Sequence, residues 1–316
     1  MPITLSIDTA LCNPSATVHV PIARRDRHVA ILYLHGGGLL YGDRDDLPEP
    51  YRNLLLDAGY TLYCLDYPLA PEATLDQIRA SLVKTLRWFA QRQMTAHGFK
   101  GYFLFGRSAG AYLALLLAKE IRDDASLPQP AGILSFYGFH NLQRPFFCEP
   151  SAAYAKLPPV LPKTVEALAK GGVTTNRPKA LGFALYVHAR QHGAWSALLG
   201  VSEDELARFS LSESDIAKLP PLFVTASTAD ADVPFSESKQ LARLARRVVM
   251  KPVYDLEHDF DRDTGNPVGL AIYREAIAWM QKRARAPRGI ARQARPVRPL
   301  PTEAPTKAAA GRSARR

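Results

Sequence analysis

Gly106-Arg107-Ser108-Ala109-Gly110 is the stretch from which the rest of the fold can be worked out. An apolar run typical of a buried strand precedes it at 102–105, and a helix-forming run follows at 111–119. A G-x-S-x-G pentapeptide between a strand and a helix is typical of a nucleophile elbow, a strained turn that exposes a serine hydroxyl. We therefore predict that Ser108 lies on such a turn, near the positive end of the following helix. An ordinary loop with two glycines is the alternative, and the remaining chain decides between the two interpretations.

Buried strands and helices alternate along most of the chain. Apolar runs without polar alternation, which indicate strands covered on both faces, occur at 29–34, 61–65, 102–105, 131–137, 222–226 and 248–254. Helical patterns occur at 46–58, 73–93, 111–119, 235–246 and 268–283, with Thr74 as a candidate helix cap. Two short strands are predicted before them, at 3–7 and 17–22. Strands that alternate with helices predict an α/β fold, in which helices cover both faces of a mostly parallel sheet.

The alternation is interrupted from about 141 to 219. This segment, which we call the cap, has proline-punctuated loops and helical patterns at 163–170, 179–192 and 203–208. We predict that it is a helical insertion over one end of the sheet, within a single domain that spans 1–285. Residues 286–316 are rich in Pro, Arg and Ala without apolar periodicity, so we predict a disordered basic tail. A tail without a specific partner is favoured over one that binds RNA, acidic lipid or a protein.

The charge of the chain is concentrated at its end. The formal net charge is +10, but eleven basic residues and one acid lie from Lys282 onward, so residues 1–281 are formally neutral. This balance argues against nucleic-acid binding by the folded part. The three cysteines are odd in number and widely spaced, which favours reduced thiols. With neither a signal-peptide pattern nor an apolar run of about 18 residues, we expect no membrane span and a cytoplasmic location.

A serine nucleophile needs a base that takes its proton and an acid that orients the base. In a sheet of this kind both follow later strands, in the order Ser, Asp or Glu, His. Among the histidines, His258 follows the last predicted strand and is the candidate base. Asp230 and Asp232 both follow the penultimate strand. We prefer Asp230 as the acid, because Asp232 is well placed to cap the helix that starts near Pro234.

Acyl transfer also needs backbone N–H donors for the oxyanion that forms on the substrate. Ala109 can supply one, and the run His35-Gly36-Gly37-Gly38 can supply others, because glycines let the backbone approach a substrate oxygen closely. A flexible turn is the alternative reading of this run. The candidate substrate-binding residues are Tyr41, His140 and Arg107. The Arg107 side chain would either contact an acidic substrate group or pair with a nearby carboxylate, and we favour pairing.

These residues carry a family resemblance over about 28–281. The H-G-G-G run, Asp66-Tyr67-Pro68-Leu69-Ala70-Pro71-Glu72 and the elbow resemble the esterases similar to hormone-sensitive lipase, within the α/β-hydrolase superfamily. The resemblance implies a serine carboxylic-ester hydrolase that uses no metal or cofactor. It also implies a catalytic triad formed by Ser108, Asp230 and His258. The oxyanion hole would be formed by the amides of Gly37, Gly38 and Ala109. His35, Asp66 and Tyr67 would be scaffolding.

Positions that depart from the family pattern include Pro68, Arg107, Ala111 and Asp259. The family often has Arg, Asp, Gly and Gly there, respectively. We expect hydrolysis of small carboxylic esters through an acyl-enzyme, with a small-molecule ester as the partner. An amidase, such as an arylformamidase-like enzyme, or an acyltransferase would use the same triad. A ligand-binding protein on a silent hydrolase scaffold is a remote alternative. The oligomeric state is not predicted.

Overall fold

A central eight-stranded sheet organises the chain, in the order β1-β2-β4-β3-β5-β6-β7-β8. The computed structural model describes residues 2–284, and the predicted tail at 286–316 lies outside these residues. The strands are β1 (Ile3–Ser6), β2 (Ser15–His19), β3 (Val29–Leu34), β4 (Thr61–Leu65), β5 (Gly101–Arg107), β6 (Ile133–Phe136), β7 (Leu222–Ser227) and β8 (Val248–Val253). Strands β3 to β8 pair in parallel, and β1 and β2 are antiparallel. The predicted α/β fold with a mostly parallel sheet is confirmed.

The apolar runs form strands because both of their faces are covered. Every residue of β3, β4, β5 and β7 is buried, which explains why these runs lack polar alternation. The second strand is predicted at 17–22 but spans Ser15–His19, so its predicted bounds are wrong. Its pairing with β4 ends at His19 opposite Leu62, and the apolar side chains of Val20 and Ile22 beyond it are exposed.

Helices cover the two faces of the sheet. The principal ones are α1 (Glu49–Asp57), α2 (Leu75–Trp88), α3 (Met94–His97), α4 (Ala109–Ile121), α10 (Phe235–Leu244) and α11 (Pro267–Ala284). Apolar side chains of α2, α4 and α10 pack on one face, and those of α1 and α11 pack on the other. The Thr74 hydroxyl accepts a hydrogen bond from the amide of Gln77, whose side chain accepts from the Thr74 amide, so the predicted cap is confirmed. The helix predicted to reach residue 93 passes into a π-helical turn at Phe89–Gln93.

The cap lies between β6 and β7. It contains α5 (Pro145–Cys148), α6 (Pro162–Leu168), α7 (Lys179–His192), α8 (Trp195–Leu198) and α9 (Glu213–Ala217). The helix predicted at 203–208 is only a short 3₁₀ turn, Glu203–Glu205. The indole ring of Trp195 stacks on Phe147 and donates a hydrogen bond of 2.9 Å to the carbonyl of Gly38. The cap core therefore contacts the glycine loop directly.

Arg177 makes a second connection between the cap and the rest of the fold. Its guanidinium donates to the carbonyls of Leu40 (2.5 Å) and Ala70 (2.7 Å) and is bound by both carboxylate oxygens of Glu72. Both charged side chains are 7% exposed. Charges buried to this degree need a well-formed partner. The pair and its hydrogen bonds therefore fix the position of the cap relative to the glycine loop. Within residues 2–284, no helix has the length and apolarity to cross a membrane.

Candidate active site

Ser108 lies on a sharp turn between β5 and α4. Its backbone has φ +53° and ψ −121°, an uncommon conformation that a non-glycine residue keeps only when its surroundings enforce it. Close packing provides that enforcement. A Cβ atom on Gly106 would lie 2.1 Å from the carbonyl oxygen of Gly110, and one on Gly110 would lie 2.1 Å from that of Leu34. The two glycines allow the helix to cross the strands at a distance that any side chain would prevent.

Ser108, His258 and Asp230 form a continuous hydrogen-bonded chain. His258 Nε2 lies 2.8 Å from Ser108 Oγ, and His258 Nδ1 lies 2.6 Å from Asp230 Oδ2. The Asp230 side chain is fully buried, and its Oδ1 accepts hydrogen bonds from the amides of Asp232 (2.9 Å) and Val233 (2.8 Å). These two hydrogen bonds fix the orientation of the carboxylate toward His258. Residues from three separate strand ends thus meet in one place.

Asp232 occupies a different position from the helix cap predicted for it. Helix α10 begins after Pro234 without any side-chain cap, so the predicted capping role is wrong. The Asp232 carboxylate turns instead toward α7, where its Oδ1 accepts from the hydroxyl of Tyr186 (2.8 Å) and the guanidinium of Arg190 (2.6 Å). Its Oδ2 lies 3.9 Å from His258 Nε2, without a direct hydrogen bond.

The carboxylates around His258 favour its protonated form. Burial of the ring is the largest single influence and lowers the pKa of His258. The charge and hydrogen bond of Asp230, together with the charges of Asp232 and Asp259, outweigh burial and raise the pKa of His258 to about 9. An imidazolium that forms when Ser108 loses its proton would be stabilised by the same carboxylates.

The glycine loop after β3 is folded around its own backbone. Gly37 and Gly38 have φ values of +103° and +63°, and the Gly37 carbonyl accepts from the amides of Leu40 and Tyr41. A Cβ atom on Gly37 would lie 1.9 Å from the carbonyl oxygen of Tyr41. Within the described residues, the amides of Gly37, Gly38 and Ala109 donate to no protein acceptor. These are the three amides that the sequence predicts as oxyanion donors.

His35 and Tyr67 support this loop from behind, and Asp66 binds neighbouring segments. The Tyr67 ring stacks on the His35 imidazole with centroids 4.2 Å apart, and its hydroxyl donates to the His35 carbonyl at 2.9 Å. Asp66 Oδ2 accepts from Arg44 at 2.5 Å and from the Ser15 amide at 3.2 Å. These contacts agree with the scaffolding role that the resemblance implies.

A family model described as the alpha/beta hydrolase fold matches residues 31–262. This chain belongs to the α/β-hydrolase fold family. The family resemblance predicted from the sequence is thereby confirmed.

Several solved structures are similar to the chain. An α/β-hydrolase superfamily protein from Enterococcus faecalis is 29% identical, with a TM-score of 0.79 over 89% of this chain and 99% of that one. A protein of unknown function from Staphylococcus aureus subsp. aureus Mu50 is 26% identical, with the same TM-score and coverage. An esterase from Pyrobaculum calidifontis is 20% identical, with a TM-score of 0.67 over 90% of this chain and 87% of that one.

The site opens into a cavity of about 360 Å³, and Ser108 and His258 both line this cavity. Aromatic side chains form much of its wall, namely Tyr41, Tyr137, Tyr154, Phe183 and Tyr186. Three of these come from the cap, so the cap sets the shape of the space in front of Ser108. The Tyr41 ring contacts Phe183 and Tyr186 edge-on. Tyr41, predicted as a substrate-binding residue, is thus brought to the cavity.

The other two predicted substrate-binding residues behave differently. Arg107 reaches the cavity wall, but its guanidinium is buried and paired with Asp261, in agreement with the pairing that the sequence analysis favours. His140 does not line the cavity that contains Ser108, so the predicted pocket role is wrong. Its ring is buried with Nδ1 3.8 Å from Glu237, and its backbone carbonyl accepts from the Leu211 amide. Burial, with the positive charge of Arg144, lowers the pKa of His140 to about 4.

A candidate metal cluster lies elsewhere in the described part of the chain. His19, Asp45 and Cys64 bring one ligand atom each to within 4.8 Å of one another. None of the three lines the cavity at Ser108, and the Nε atom of Arg44 lies 3.6 Å from the Asp45 carboxylate. A guanidinium this close competes with a cation for the same oxygen.

Three residues around the site, namely Arg190, Tyr137 and Asp261, were not identified from the sequence, and each has a partner far away in the chain. Arg190 pairs with Asp232 over 42 positions, and Tyr137 contacts Asp261 over 124 positions. Nothing in the local pattern of either residue indicates such a contact. A buried arginine inside an apolar helix face, such as Arg190 in α7, is the one signal that could have suggested a paired carboxylate.

Proposed function

We propose that this α/β-hydrolase cleaves small carboxylic esters through an acyl-enzyme intermediate. The observation that carries the proposal is the chain from Asp230 through His258 to Ser108, with spacings of 2.6 and 2.8 Å. A serine hydroxyl becomes an effective nucleophile only when a base in this position takes its proton. The esterases among the structurally similar proteins support the same reaction class.

In the proposed reaction, Ser108 Oγ attacks the ester carbonyl while its proton passes to His258 Nε2. Asp230 holds Nδ1–H of His258, so that Nε2 is free to accept the proton, and it stabilises the imidazolium that results. The tetrahedral oxyanion would be bound by the amides of Gly37, Gly38 and Ala109. His258 then returns the proton to the leaving alcohol, and the carbon–oxygen bond to that alcohol breaks.

The acyl-enzyme is then hydrolysed by the same steps, with water as the nucleophile and Ser108 as the leaving group. His258 takes a proton from water, the resulting hydroxide attacks the acyl carbonyl, and Ser108 leaves with the proton returned to its oxygen. The cavity of about 360 Å³ and its aromatic wall suit a small ester with an apolar acyl group.

Substitution of Ser108 by Ala tests the proposal. The variant should lose turnover of p-nitrophenyl acetate and butyrate and should no longer be labelled by a fluorophosphonate probe. Ser135→Ala is a matched control, because Ser135 is a buried serine on β6 whose hydroxyl has no partner among the described residues. Turnover by Ser108→Ala equal to that of the control would refute the proposal.

The same acyl-enzyme forms in amidases and acyltransferases, so the acceptor and the bond need their own comparison. A matched pair of p-nitrophenyl ester and p-nitroanilide measures ester against amide cleavage. Added short alcohol measures acyl transfer, since product ester would then accumulate beside the free acid. We expect ester hydrolysis to be fastest, and a faster anilide or transfer reaction would reassign the activity.

A further inference from the structure

A buried ion pair lies behind Ser108 and His258, and the proposed mechanism does not use it. Arg107 Nη2 donates to Asp261 Oδ1 at 2.9 Å, and the two side chains are 6% and 0% exposed. Removal of two charges from water is costly, and the cost is offset only when their geometry is well defined. The pair therefore fixes the two backbone segments that carry it relative to each other.

Tyr137 completes this pair as a bridge. Its hydroxyl accepts a hydrogen bond from Arg107 Nε at 2.6 Å and donates one to Asp261 Oδ1 at 2.7 Å. The hydroxyl of Tyr273 donates to the other carboxylate oxygen at 2.8 Å. Every member has a partner in a buried setting, which is the condition under which a polar network becomes rigid.

The network lies at the places where displacement would disturb the reacting groups. Arg107 directly precedes Ser108, and Asp261 follows His258 by three residues. The Tyr137 ring contacts the His258 ring edge-on, with centroids 4.9 Å apart. Tyr137 also keeps a φ of +41°, which costs energy unless its surroundings hold it there.

We infer that Arg107, Tyr137 and Asp261 are positioning residues that hold the His258 imidazole against Ser108 Oγ. The inference rests on the proposed function, because it assigns the network to the same proton transfer. A shift of about 1 Å between reacting groups costs roughly 100-fold in rate. Among the described residues, no backbone hydrogen bond joins the Ser108 turn to the His258 loop, so the buried side-chain network adds a connection between them.

Tyr137→Phe is the informative variant. It keeps the ring beside His258 and removes the bridging hydroxyl, so Arg107 Nε loses its acceptor and Asp261 Oδ1 loses one donor. Tyr102→Phe is the matched control, because its buried hydroxyl donates to the Pro128 carbonyl at 2.7 Å, near the opposite end of β5 from Ser108. Both variants lose the hydrogen bonding of a buried tyrosine hydroxyl. Only the first should alter the geometry of His258.

Three readouts are compared. The kinetic constants kcat and KM for p-nitrophenyl butyrate and the low-field proton resonance of the His258–Asp230 hydrogen bond are measured at a temperature where both variants are folded. The thermal midpoint of each variant is measured separately. We expect Tyr137→Phe to lower kcat about tenfold or more with little change in KM, and to shift the resonance. The control should keep wild-type kcat and resonance, even if its thermal midpoint falls.

A kcat within about twofold of wild type, with an unmoved resonance, would overturn the inference and leave the network a purely structural element. The resonance reports on the His258–Asp230 hydrogen bond and can be measured whether or not Ser108 is the nucleophile. It therefore tests the network even if Ser108→Ala were active and the proposed function had to be abandoned.

Discussion

Asparagine substitution of Asp230 and Asp232, one at a time, distinguishes the two acids that lie near His258. Asp230→Asn removes the charge that His258 Nδ1 meets at 2.6 Å and offers an amide that favours the wrong tautomer. The loss of kcat/KM should be about 10⁴-fold. That factor corresponds to roughly 5.5 kcal/mol of transition-state stabilisation.

Asp232→Asn should have a much smaller effect on turnover. An unpaired charge 3.9 Å from His258 Nε2 would contribute about 4 kcal/mol at an effective dielectric constant near 20, but Arg190 offsets most of it from 2.6 Å. We expect less than about tenfold loss in kcat/KM, equivalent to about 1.4 kcal/mol. The unpaired Arg190, which is 2% exposed, should lower the thermal midpoint.

The pH profile provides an independent check on this assignment. Because the Asp232 charge raises the pKa of His258, its removal should move the acidic limb of kcat/KM to lower pH. The assay is hydrolysis of p-nitrophenyl butyrate from pH 5 to 9.5, with the fold of each variant verified by circular dichroism. A larger loss for Asp232→Asn than for Asp230→Asn would refute the assignment of the acid.

Four more predictions concern the base, the glycine loop and the cap. Since only neutral His258 accepts a proton and its pKa is about 9, wild-type kcat/KM should rise from pH 7 to 9, and a rate already constant at pH 7 would contradict this. The same elevated pKa stabilises the fold fully below pH 6.5, and that contribution should be lost as the pH rises through 9, as measured by urea unfolding. Gly37→Ala should lower kcat about 100-fold or more by displacing the loop, whereas Gly171→Ala, where a Cβ meets nothing within 4 Å, should match wild type. Arg177→Met leaves the Glu72 carboxylate buried without its partner and should lower the free energy of unfolding by about 3–5 kcal/mol in urea titration, and a change below about 1 kcal/mol would count against that pair.

The sheet could be read from the sequence because burial on both faces leaves a local signature. The runs at 29–34 and 61–65 coincide with β3 and β4, and the pattern at 179–192 coincides with α7. The bounds of β2 could not be predicted in this way. Its end depends on where β4 stops offering backbone partners, which is a property of a strand more than 40 residues away.

Some residues of the candidate site could be predicted from the sequence, and the contacts of others could not. Ser108, Asp230 and His258 each follow a strand, so their order along the chain already places them at one edge of the sheet. The partners of Arg107 and Asp232 could not be found, because their contacts span 154 and 42 positions. His140 also follows a strand, yet its side chain turns toward Glu237 rather than into the cavity, and strand order alone does not specify that direction.

The connections of the cap bear on how this scaffold could be re-engineered. Arg177 ties the cap to the glycine loop, and Arg190 ties α7 to the loop that carries Asp230 and Asp232. A cap taken from a relative and grafted between β6 and β7 would therefore have to bring matching cations, or both loops would lose buried partners. Exchange of substrate range is better sought by changing cavity-facing side chains such as Phe183 than by replacing the cap as a cassette.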